Sequence, residues 1–264
     1  LAGEHLNVSP VEIEVSVSYS TLSFIIVIMS SISQLILGDT GCVSYLICCK
    51  KANEVAIIDS FQGFEKDIED AIKELNNPRV KYVIDTHTHA DRFSASSYFS
   101  KKYETGGIVK SKKTKYKGKI HGTNDNDILE IGESKLEVLF TPGHTYDHNC
   151  YLIDGTSLLS GDCLFIGDVG RIDLGGNPEE KSNLLFNSLR RLEKLPMETK
   201  VYPNHVGAAH AIDSEETYST IKQETETNEA MQIKDEDAFY KYMTEGWPPK
   251  PKNWEQIIAQ NLNS

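Results

Sequence analysis

One stretch of the sequence decides the fold: Tyr82-Val83-Ile84-Asp85-Thr86-His87-Thr88-His89-Ala90-Asp91-Arg92. A short apolar run that ends in an aspartate is typical of a buried strand. The polar residues that follow therefore lie at the carboxyl end of that strand, where α/β proteins place their sites. His87 and His89 alternate along the chain, so both imidazoles can turn towards one point beside Asp91. Imidazole and carboxylate suit a first-row transition metal, so the stretch predicts a metal centre; the alternative is a surface loop with two histidines.

Three further stretches supply matching ligands: Thr141-Pro142-Gly143-His144-Thr145, Ser160-Gly161-Asp162 and Tyr202-Pro203-Asn204-His205. Each follows an apolar, β-prone run, so each places a histidine or an aspartate just beyond a strand. In this order, the patterns T-H-x-H-x-D, T-P-G-H-T, G-D and P-x-H resemble the metallo-β-lactamase superfamily, over about residues 32 to 250. The resemblance implies an α/β fold, the four-layer αββα metallo-β-lactamase sandwich, with two β-sheets between outer layers of helices.

Length, net charge and cysteine content limit the domain organisation and the function classes that fit this chain. A length of 264 residues allows one large α/β domain or two small ones, and motifs that span positions 87 to 205 favour one, over residues 32–264. The net charge of −12 disfavours nucleic-acid binding. Five cysteines without a C-x-x-C spacing argue against a complete disulfide framework. They favour a reducing, cytoplasmic setting. Cys150 and Cys163, close to the metal motifs in sequence, are expected to be small buried hydrophobes, with a reactive thiol as the alternative.

Residues 1–31 form an N-terminal extension outside the recognised pattern. The uncharged segment 15–38 contains the apolar run Phe24-Ile25-Ile26-Val27-Ile28-Met29, but seven serines interrupt its apolar density. Val11, Ile13, Val15 and Val17 alternate with polar residues, which predicts a half-buried strand. We interpret the extension as an extra hairpin or an interface strand; a membrane anchor is the alternative.

The remaining periodicities predict a regular alternation of elements. Strands are expected over 43–48, 54–58, 80–84, 128–131, 135–140, 150–153 and 157–159, and helices over 64–75, 93–103, 179–195, 214–226 and 235–245. The lysines between positions 110 and 119 predict a solvated loop or an edge strand, with anion binding as the alternative. Residues 247–251 are rich in proline and are expected to end the fold as an extended segment.

Arg92 departs from the pattern of the superfamily. Relatives with two metals carry H-x-H-x-D-H, and the last histidine completes the second site. A guanidinium has no free lone pair and would repel a cation, so the second site is not expected to form. His87, His144 and Asp162 are then left as the ligands of one metal and as the catalytic residues. Such a triad with open positions is typical of non-haem Fe(II) oxygen chemistry, so one Fe(II) per chain is expected, with zinc as another occupant of the isolated protein.

The run Gly170-Arg171-Ile172-Asp173 sharpens the resemblance. Its G-R-x-D pattern is similar to that of persulfide dioxygenases, the branch with the ETHE1-like enzymes and the rhodanese fusions. Ser219-Thr220-Ile221, Asn228 and the prolines from 248 to 251 resemble the C-terminal tail of that branch. The resemblance implies oxidation of a low-molecular-weight thiol persulfide, such as glutathione persulfide, by O₂ to sulfite and thiol. It also implies that Arg171 and Asp173 lie behind the ligands or contact the substrate.

The other polar residues of the motifs receive supporting roles. His89 and His205 are expected to hydrogen-bond substrate or oxygen, and Asp91 to orient a ligand histidine; the alternative for each is a structural hydrogen bond. His5, His121, His148 and His210 are expected to be exposed; the alternative is an approach to the metal for His148 and a place in a substrate loop for His210. The expected partners are the persulfide and O₂, with no nucleic acid and no membrane. A homodimer and a rhodanese-type sulfurtransferase on a separate chain are compatible with the sequence.

Two rival functions share the motifs. The first is a thioester hydrolase of the glyoxalase II (hydroxyacylglutathione hydrolase) type, which uses two metals to generate hydroxide and polarise the thioester carbonyl. Metal content separates it from the dioxygenase, because it needs a second ligand set where Arg92 stands. The second rival is a non-enzymatic docking module with a degraded site, which the retention of all three triad ligands argues against.

Overall fold

The computed structural model describes residues 9–11, 31–37, 40–207, 216–245 and 249–264. The larger of its two sheets has seven strands in the order β1-β2-β3-β4-β5-β6-β7. Their bounds are β1 Ser9–Val11, β2 Ser31–Leu37, β3 Cys42–Cys49, β4 Glu54–Ile58, β5 Arg79–Ile84, β6 Ile108–Ser111 and β7 Ile120–Thr123. The strands from β4 to β7 are parallel, so β4 and β5 end at the same edge of this sheet.

The second sheet has six strands in the order β13-β12-β11-β10-β9-β8. Their bounds are β8 Ile128–Ile131, β9 Ser134–Phe140, β10 Asn149–Ile153, β11 Ser157–Gly161, β12 Lys200–Pro203 and β13 Ser219–Thr220. β11 and β12 are parallel, whereas the other pairs are antiparallel. The carboxyl ends of β11 and β12 therefore lie side by side.

Helices cover the outer face of each sheet. Their bounds are α1 Glu65–Glu74, α2 Ser96–Lys102, α3 Pro178–Leu192, α4 Ile221–Thr227, α5 Glu229–Gln232, α6 Glu236–Thr244 and α7 Trp254–Asn261. The start of α3 follows from its sequence, because the side chain of Asn177 accepts hydrogen bonds from the amides of Glu179 and Glu180 and Pro178 occupies the first turn. Within the described residues, no helix has the length and apolar character needed to cross a bilayer.

Three clusters of buried apolar side chains define the layers. The central cluster lies between the sheets, where Tyr45 of β3 meets Tyr202 of β12. The second cluster packs Leu189 of α3 and neighbouring side chains of α6 on the outer face of the six-stranded sheet. The third packs α1 and α2 on the seven-stranded sheet, with Leu46 contributed by β3. Successive residues of β3 thus enter different clusters, and the predicted αββα sandwich is confirmed.

Most predicted elements are present with small shifts at their ends. The strand predicted over 54–58 is β4, and the helices predicted over 64–75 and 235–245 are α1 and α6. The predicted helix after Arg92 begins only at Ser96, because the Ser94 amide and hydroxyl are engaged with Asn261 and Asp85. Of the helix predicted over 214–226, residues 219 and 220 are β13 and α4 begins at Ile221, while 214 and 215 lie outside the described residues.

Two predictions about surface segments are wrong in part. Lys110 is buried with 4% exposure and pairs with Asp85 over 2.5 Å, because β6 carries it into the sheet, whereas the other lysines up to Lys119 are exposed. Residues 249–251 do not end the fold, because α7 follows them and Asn261 of α7 hydrogen-bonds the loop that contains His89 and Arg92.

The N-terminal extension is described only in part. Ser9–Val11 forms the edge strand β1, which pairs antiparallel with β2 and sets Val11 opposite Ile32. Residues 12–30, on which the predicted hairpin and the membrane alternative depend, lie outside the described residues, as do His5 and His210. The role of the extension stays a prediction.

Candidate metal centre

Four strand-end loops meet at one edge of the sandwich, as the motifs predict. They follow β5, β9, β11 and β12, and they bring together His87, His144, Asp162 and His205. In the six-stranded sheet, β9 and β11 both pair antiparallel with β10, and β11 pairs parallel with β12. These three strands therefore run in one direction and deliver their carboxyl ends to the same edge.

His87, His144 and Asp162 form a compact group of three donors. One ligand atom of each lies within 4.8 Å of the others. Asp162 Oδ2 is 3.8 Å from His87 Nε2 and 3.6 Å from His144 Nε2. All three side chains are buried. A first-row metal held at about 2 Å from nitrogen and oxygen donors fits a cluster of this size.

Hydrogen bonds fix which ring nitrogens face the centre. His144 Nδ1 lies 2.8 Å from the carbonyl oxygen of Arg171, which can only accept, so Nδ1 carries the proton and Nε2 keeps its lone pair. His87 Nδ1 lies 2.9 Å from Thr86 Oγ1. His87 Nε2 is buried and has no hydrogen-bond partner among the described residues. A buried nitrogen without a partner, aimed at a carboxylate, is the arrangement that a metal ion would complete.

The charge state of the three donors also suits a metal. Burial lowers the pKa of His87 well below its usual value and lowers the pKa of His144 to about 4. Burial would raise the pKa of Asp162, but the charges of His205 and His144 outweigh it and hold that pKa well below the usual range. At neutral pH the centre therefore presents two neutral imidazoles and one carboxylate, the donor set that binds divalent transition metals.

His148 hydrogen-bonds the backbone of the loop that carries Asp162, a role that the sequence did not suggest. It is fully buried, so its predicted exposure is wrong. Its Nε2 accepts a hydrogen bond from the backbone amide of Asp162 at 3.1 Å. Nδ1 must then carry the proton, and it lies 2.9 Å from Thr141 Oγ1. Thr141 of the T-P-G-H-T motif therefore hydrogen-bonds His148, which in turn hydrogen-bonds the loop that carries Asp162.

The glycine of G-R-x-D packs directly against two of the candidate ligands, Asp162 and His144. A Cβ at Gly170 would lie 1.8 Å from the carbonyl oxygen of Asp162 and 3.0 Å from Cγ of His144. Because backbone atoms cannot yield that much space, only glycine fits here. The next residue, Arg171, offers its carbonyl to His144 and forms a bidentate ion pair with Asp173 at 2.6 and 2.9 Å. The G-R-x-D motif therefore fixes the backbone carbonyl that hydrogen-bonds His144.

A second group of side chains adjoins the triad. His205 Nδ1 lies 3.1 Å from Asp162 Oδ1, and His205 Nε2 lies 3.0 Å from Asp91 Oδ2. Burial would lower the pKa of His205, but the charge of Asp162 and the hydrogen bonds to both carboxylates raise it well above its usual value. Asp91 thus contacts His205, whereas the candidate ligands His87 and His144 contact Thr86 and Arg171. Asp91 was expected to orient a ligand histidine, and the structure places it elsewhere.

Arg92 occupies the far side of this second group. Its side chain is 7% exposed, and its Nη1 lies 3.4 Å from His205 Nε2 and 3.6 Å from Asp91 Oδ2. The guanidinium lies over the ring of Phe61, 5.3 Å from the centroid. Burial would lower the pKa of Arg92, but the charge of Asp91 raises it above its usual value, so the group stays a full cation. A second metal beside Asp91 and His205 would face this charge at close range.

Asp59 is a structural residue of the site that sequence reasoning missed. It follows β4, is fully buried and adopts a φ of 54°. Its Oδ1 accepts from the amide of Thr86 at 2.8 Å and lies 3.0 Å from His89 Nε2, while its Oδ2 accepts from Asn204 Nδ2 at 2.8 Å. His89 therefore faces Asp59. A single aspartate after a strand, without a pattern around it, gave no signal in the sequence.

Asn261 of α7 fastens the loop that carries the first motif. Its Nδ2 donates to the carbonyl oxygens of His89 at 3.0 Å and Arg92 at 2.9 Å, and its Oδ1 accepts from the amide of Ser94 at 2.9 Å. All three contacts join segments far apart in sequence. No local pattern could have predicted them.

The similarities of the chain to known proteins agree with this geometry. A family model described as the metallo-beta-lactamase superfamily matches residues 37–205. The chain belongs to this superfamily. Among curated members, a hydroxyacylglutathione hydrolase of Dictyostelium discoideum is 31% identical over 201 residues, covering 73% of this chain and 71% of that protein. Other curated relatives are covered over as little as 44% of their length.

Two solved members of the superfamily share the fold over most of this chain. A metallo-beta-lactamase from Staphylococcus aureus has a TM-score of 0.81 and 29% identity, covering 89% of this chain and 72% of that one. ETHE1 from Myxococcus xanthus has a TM-score of 0.78 and 28% identity, covering 87% of this chain and 97% of that one. The relatives thus carry different names, and they leave the reaction of this chain to be argued from its site.

Proposed function

We propose that this protein is a mononuclear non-haem iron persulfide dioxygenase, which oxidises a low-molecular-weight thiol persulfide with O₂ to sulfite and thiol. The observation that carries the proposal is the asymmetry of the centre. His87, His144 and Asp162 offer a three-donor set with open positions, whereas Arg92 puts a permanent charge beside Asp91 and His205. The similarity to ETHE1 over nearly its whole length supports the same reading.

The residues of the chain would hold the iron and keep its donors in one protonation state. Fe(II), when bound, supplies open coordination positions and the one-electron chemistry that O₂ requires. The Arg171 carbonyl keeps the proton of His144 on Nδ1, and His148 holds the backbone of Asp162. These contacts lie behind the ligands, so they fix ligand orientation while leaving the opposite side to substrate.

The overall reaction balances as one R-S-SH, one O₂ and one H₂O giving RSH, sulfite and two protons. Asp91 and His205 are the polar pair nearest the triad on the side of Arg92, and we assign the handling of these protons to them. Phe165, itself buried, packs edge-on against His205, with ring centroids 5.8 Å apart. The charge of Arg92 on this side would attract the anionic outer sulfur towards the triad.

The second candidate is a hydroxyacylglutathione hydrolase, which the name and 31% identity of the Dictyostelium discoideum relative favour. That chemistry generates hydroxide between two metals in the superfamily pattern. Here the second position would need to form beside Arg92, whose Nη1 is 3.6 Å from Asp91 Oδ2. The charge of the guanidinium makes this the weaker candidate.

The experiment that separates the two functions is anaerobic loading with Fe(II), followed by O₂ consumption with glutathione persulfide and, in parallel, hydrolysis of a glutathione thioester. We expect about one iron per chain and sulfite formation. Sulfite should disappear when His87, His144 or Asp162 is replaced by Ala. An exposed control, His121→Ala, should keep full activity, since His121 lies on the surface. Thioester turnover without sulfite would overturn the proposal.

A further inference from the structure

Cys42 at the start of β3 adjoins the metal centre, although no motif includes it. Its Sγ lies 3.8 Å from Asp91 Oδ2, and its ligand atom lies within 4.8 Å of those of Asp91 and His205. His205 in turn contacts the ligand Asp162 at 3.1 Å. One imidazole therefore separates the thiol from the metal ligands.

The surroundings of this thiol favour its reactive form. The permanent charge of Arg92 and the hydrogen bond with His205 favour the thiolate, whereas the Asp91 carboxylate, 3.8 Å from Sγ, opposes it. Burial would raise the pKa of the Cys42 thiol, but the hydrogen bond with His205 and the charge of Arg92 outweigh it and lower that pKa to about 7. A thiolate in a cationic environment is the nucleophilic form of cysteine.

The other four cysteines lack this combination. Cys42 is 8% exposed, compared with 2% or less for Cys48, Cys49, Cys150 and Cys163. Burial raises the pKa of Cys48, on the same strand. Burial would raise the pKa of Cys150, but hydrogen bonds with Cys163 and His148 lower it to about 5; this thiol is nevertheless fully buried, and its Sγ is engaged with Thr141 Oγ1 at 3.1 Å and with the Ser160 carbonyl at 3.3 Å. Of the five cysteines, Cys42 is therefore the one that a substrate in the metal centre could reach most easily.

Arg92, whose charge acts on the Cys42 thiol, has donors left for an anion. Nε and Nη2 of Arg92 are buried and have no hydrogen-bond partner among the described residues. These two nitrogens form one edge of the guanidinium, whose N–H groups bind anions side by side. Buried charged donors without partners destabilise a folded protein, so a bound anion would stabilise the site.

We propose that Cys42 accepts the outer sulfur of the persulfide substrate, so that a Cys42 persulfide forms beside the iron and is held by Arg92. The Cys42 thiolate attacks the outer sulfur of R-S-SH. A new S–S bond forms to Sγ, the old S–S bond breaks, and the carrier leaves as RS⁻ with the bonding electron pair. No oxidant is consumed. The product persulfide extends the side chain by one S–S bond of about 2.05 Å and carries its charge at the end.

This inference rests on the proposed substrate class, and it names how the carrier thiol separates from the sulfur. A covalent hold on the sulfur lets the carrier leave before oxidation begins. The enzyme would then tolerate different carriers, because the oxidised group is the same Cys42 persulfide in each case.

The test uses the Fe(II)-loaded full chain under nitrogen, where the absence of O₂ stops oxidation. Glutathione persulfide is added, the thiols are alkylated, and the peptides are analysed by mass spectrometry. We expect the Cys42 peptide to gain one sulfur atom at least ten times faster than the other cysteine peptides, with release of about one glutathione per chain. The comparison among cysteines needs no variant, so it does not depend on how a variant folds.

Variants sharpen the test. Cys42→Ser should abolish both the labelling and the stoichiometric glutathione release, whereas Cys48→Ser on the same strand should change neither. Arg92→Gln should slow labelling of Cys42 about tenfold, since it removes the neighbouring charge. An unmodified Cys42 peptide, or labelling no faster than at Cys48, would overturn the inference. Sulfite formation in air is measured separately, so failure of the dioxygenase proposal is distinguishable from failure of this one.

Discussion

Replacing Arg92 by His should convert the centre from one metal to two. A cation held by Asp91 and His205 would lie close to the guanidinium, since Arg92 Nη1 is 3.4 Å from His205 Nε2 and 3.6 Å from Asp91 Oδ2. At about 4 Å and an effective dielectric constant of about 20, a divalent ion and a unit charge repel by roughly 8 kcal/mol. Arg92→His removes this repulsion and adds a nitrogen donor where the superfamily pattern has one.

The expected gain in affinity for a second metal is large even if the arginine side chain could move away. With half the repulsion relieved, about 4 kcal/mol would remain, which is roughly a thousandfold in binding. The assay is anaerobic loading with excess Zn(II), desalting and elemental analysis. We expect about one metal per wild-type chain and about two per Arg92→His chain.

Two control variants separate charge from ligation. Arg92→Lys keeps the charge and should stay at one metal, whereas Arg92→Gln removes the charge without adding a nitrogen donor and should bind a second metal weakly. A wild-type chain that binds two metals with similar affinity would refute the reasoning. So would an Arg92→His chain that still binds only one.

Three further predictions test the supports of the centre. Gly170→Ala should abolish metal binding, because its Cβ would lie 1.8 Å from the Asp162 carbonyl. The control Gly167→Ala has open space around its Cβ but a φ of +73°, so it should keep its metal and lose about 1–2 kcal/mol in unfolding free energy. Equal metal content in both variants would contradict this. Asn261→Ala removes three hydrogen bonds to the 89–94 loop. Relative to the exposed control Asn263→Ala, it should lower the metal affinity and the melting temperature, with a loss of about 1–3 kcal/mol in unfolding free energy. Burial lowers the pKa of Lys181 to about 8, below that of an unfolded lysine, so the unfolded chain binds more protons above pH 8. The unfolding free energy of wild type relative to Lys181→Met should therefore rise by roughly 2 kcal/mol between pH 8 and pH 10 in chemical denaturation, and a flat difference would show that the amine is not desolvated.

The fold and the candidate ligands were accessible from sequence because their signals are local. His87, His144 and Asp162 each stand directly after an apolar run, and parallel strands bring such positions to one edge. The structure brings these three residues together, and their role as ligands stays a prediction. The helices α1 and α6 were accessible for a similar reason, since their apolar spacing is regular.

The supports of the centre were not accessible, because they depend on contacts between distant segments. His148 reads as one more polar residue in a loop, yet the fold buries it under the Asp162 amide. Lys110 stands among exposed lysines, and only the path of β6 shows that it pairs with Asp85. Asn261 follows a proline-rich segment that was expected to end the fold. Periodicity describes which face of an element is apolar, and it does not describe which distant polar groups meet.

The Asn261 contacts have a consequence for the order of folding. They join positions up to 172 residues apart, so they belong to the contacts that form late, after loop closure over most of the chain. An intermediate with both sheets assembled but α7 undocked would already be compact. Its 89–94 loop would still lack the Asn261 hydrogen bonds that fix it in place. Metal uptake during refolding should therefore lag behind collapse, and the two could be followed in one stopped-flow experiment with a fluorescent metal indicator and intrinsic tryptophan emission.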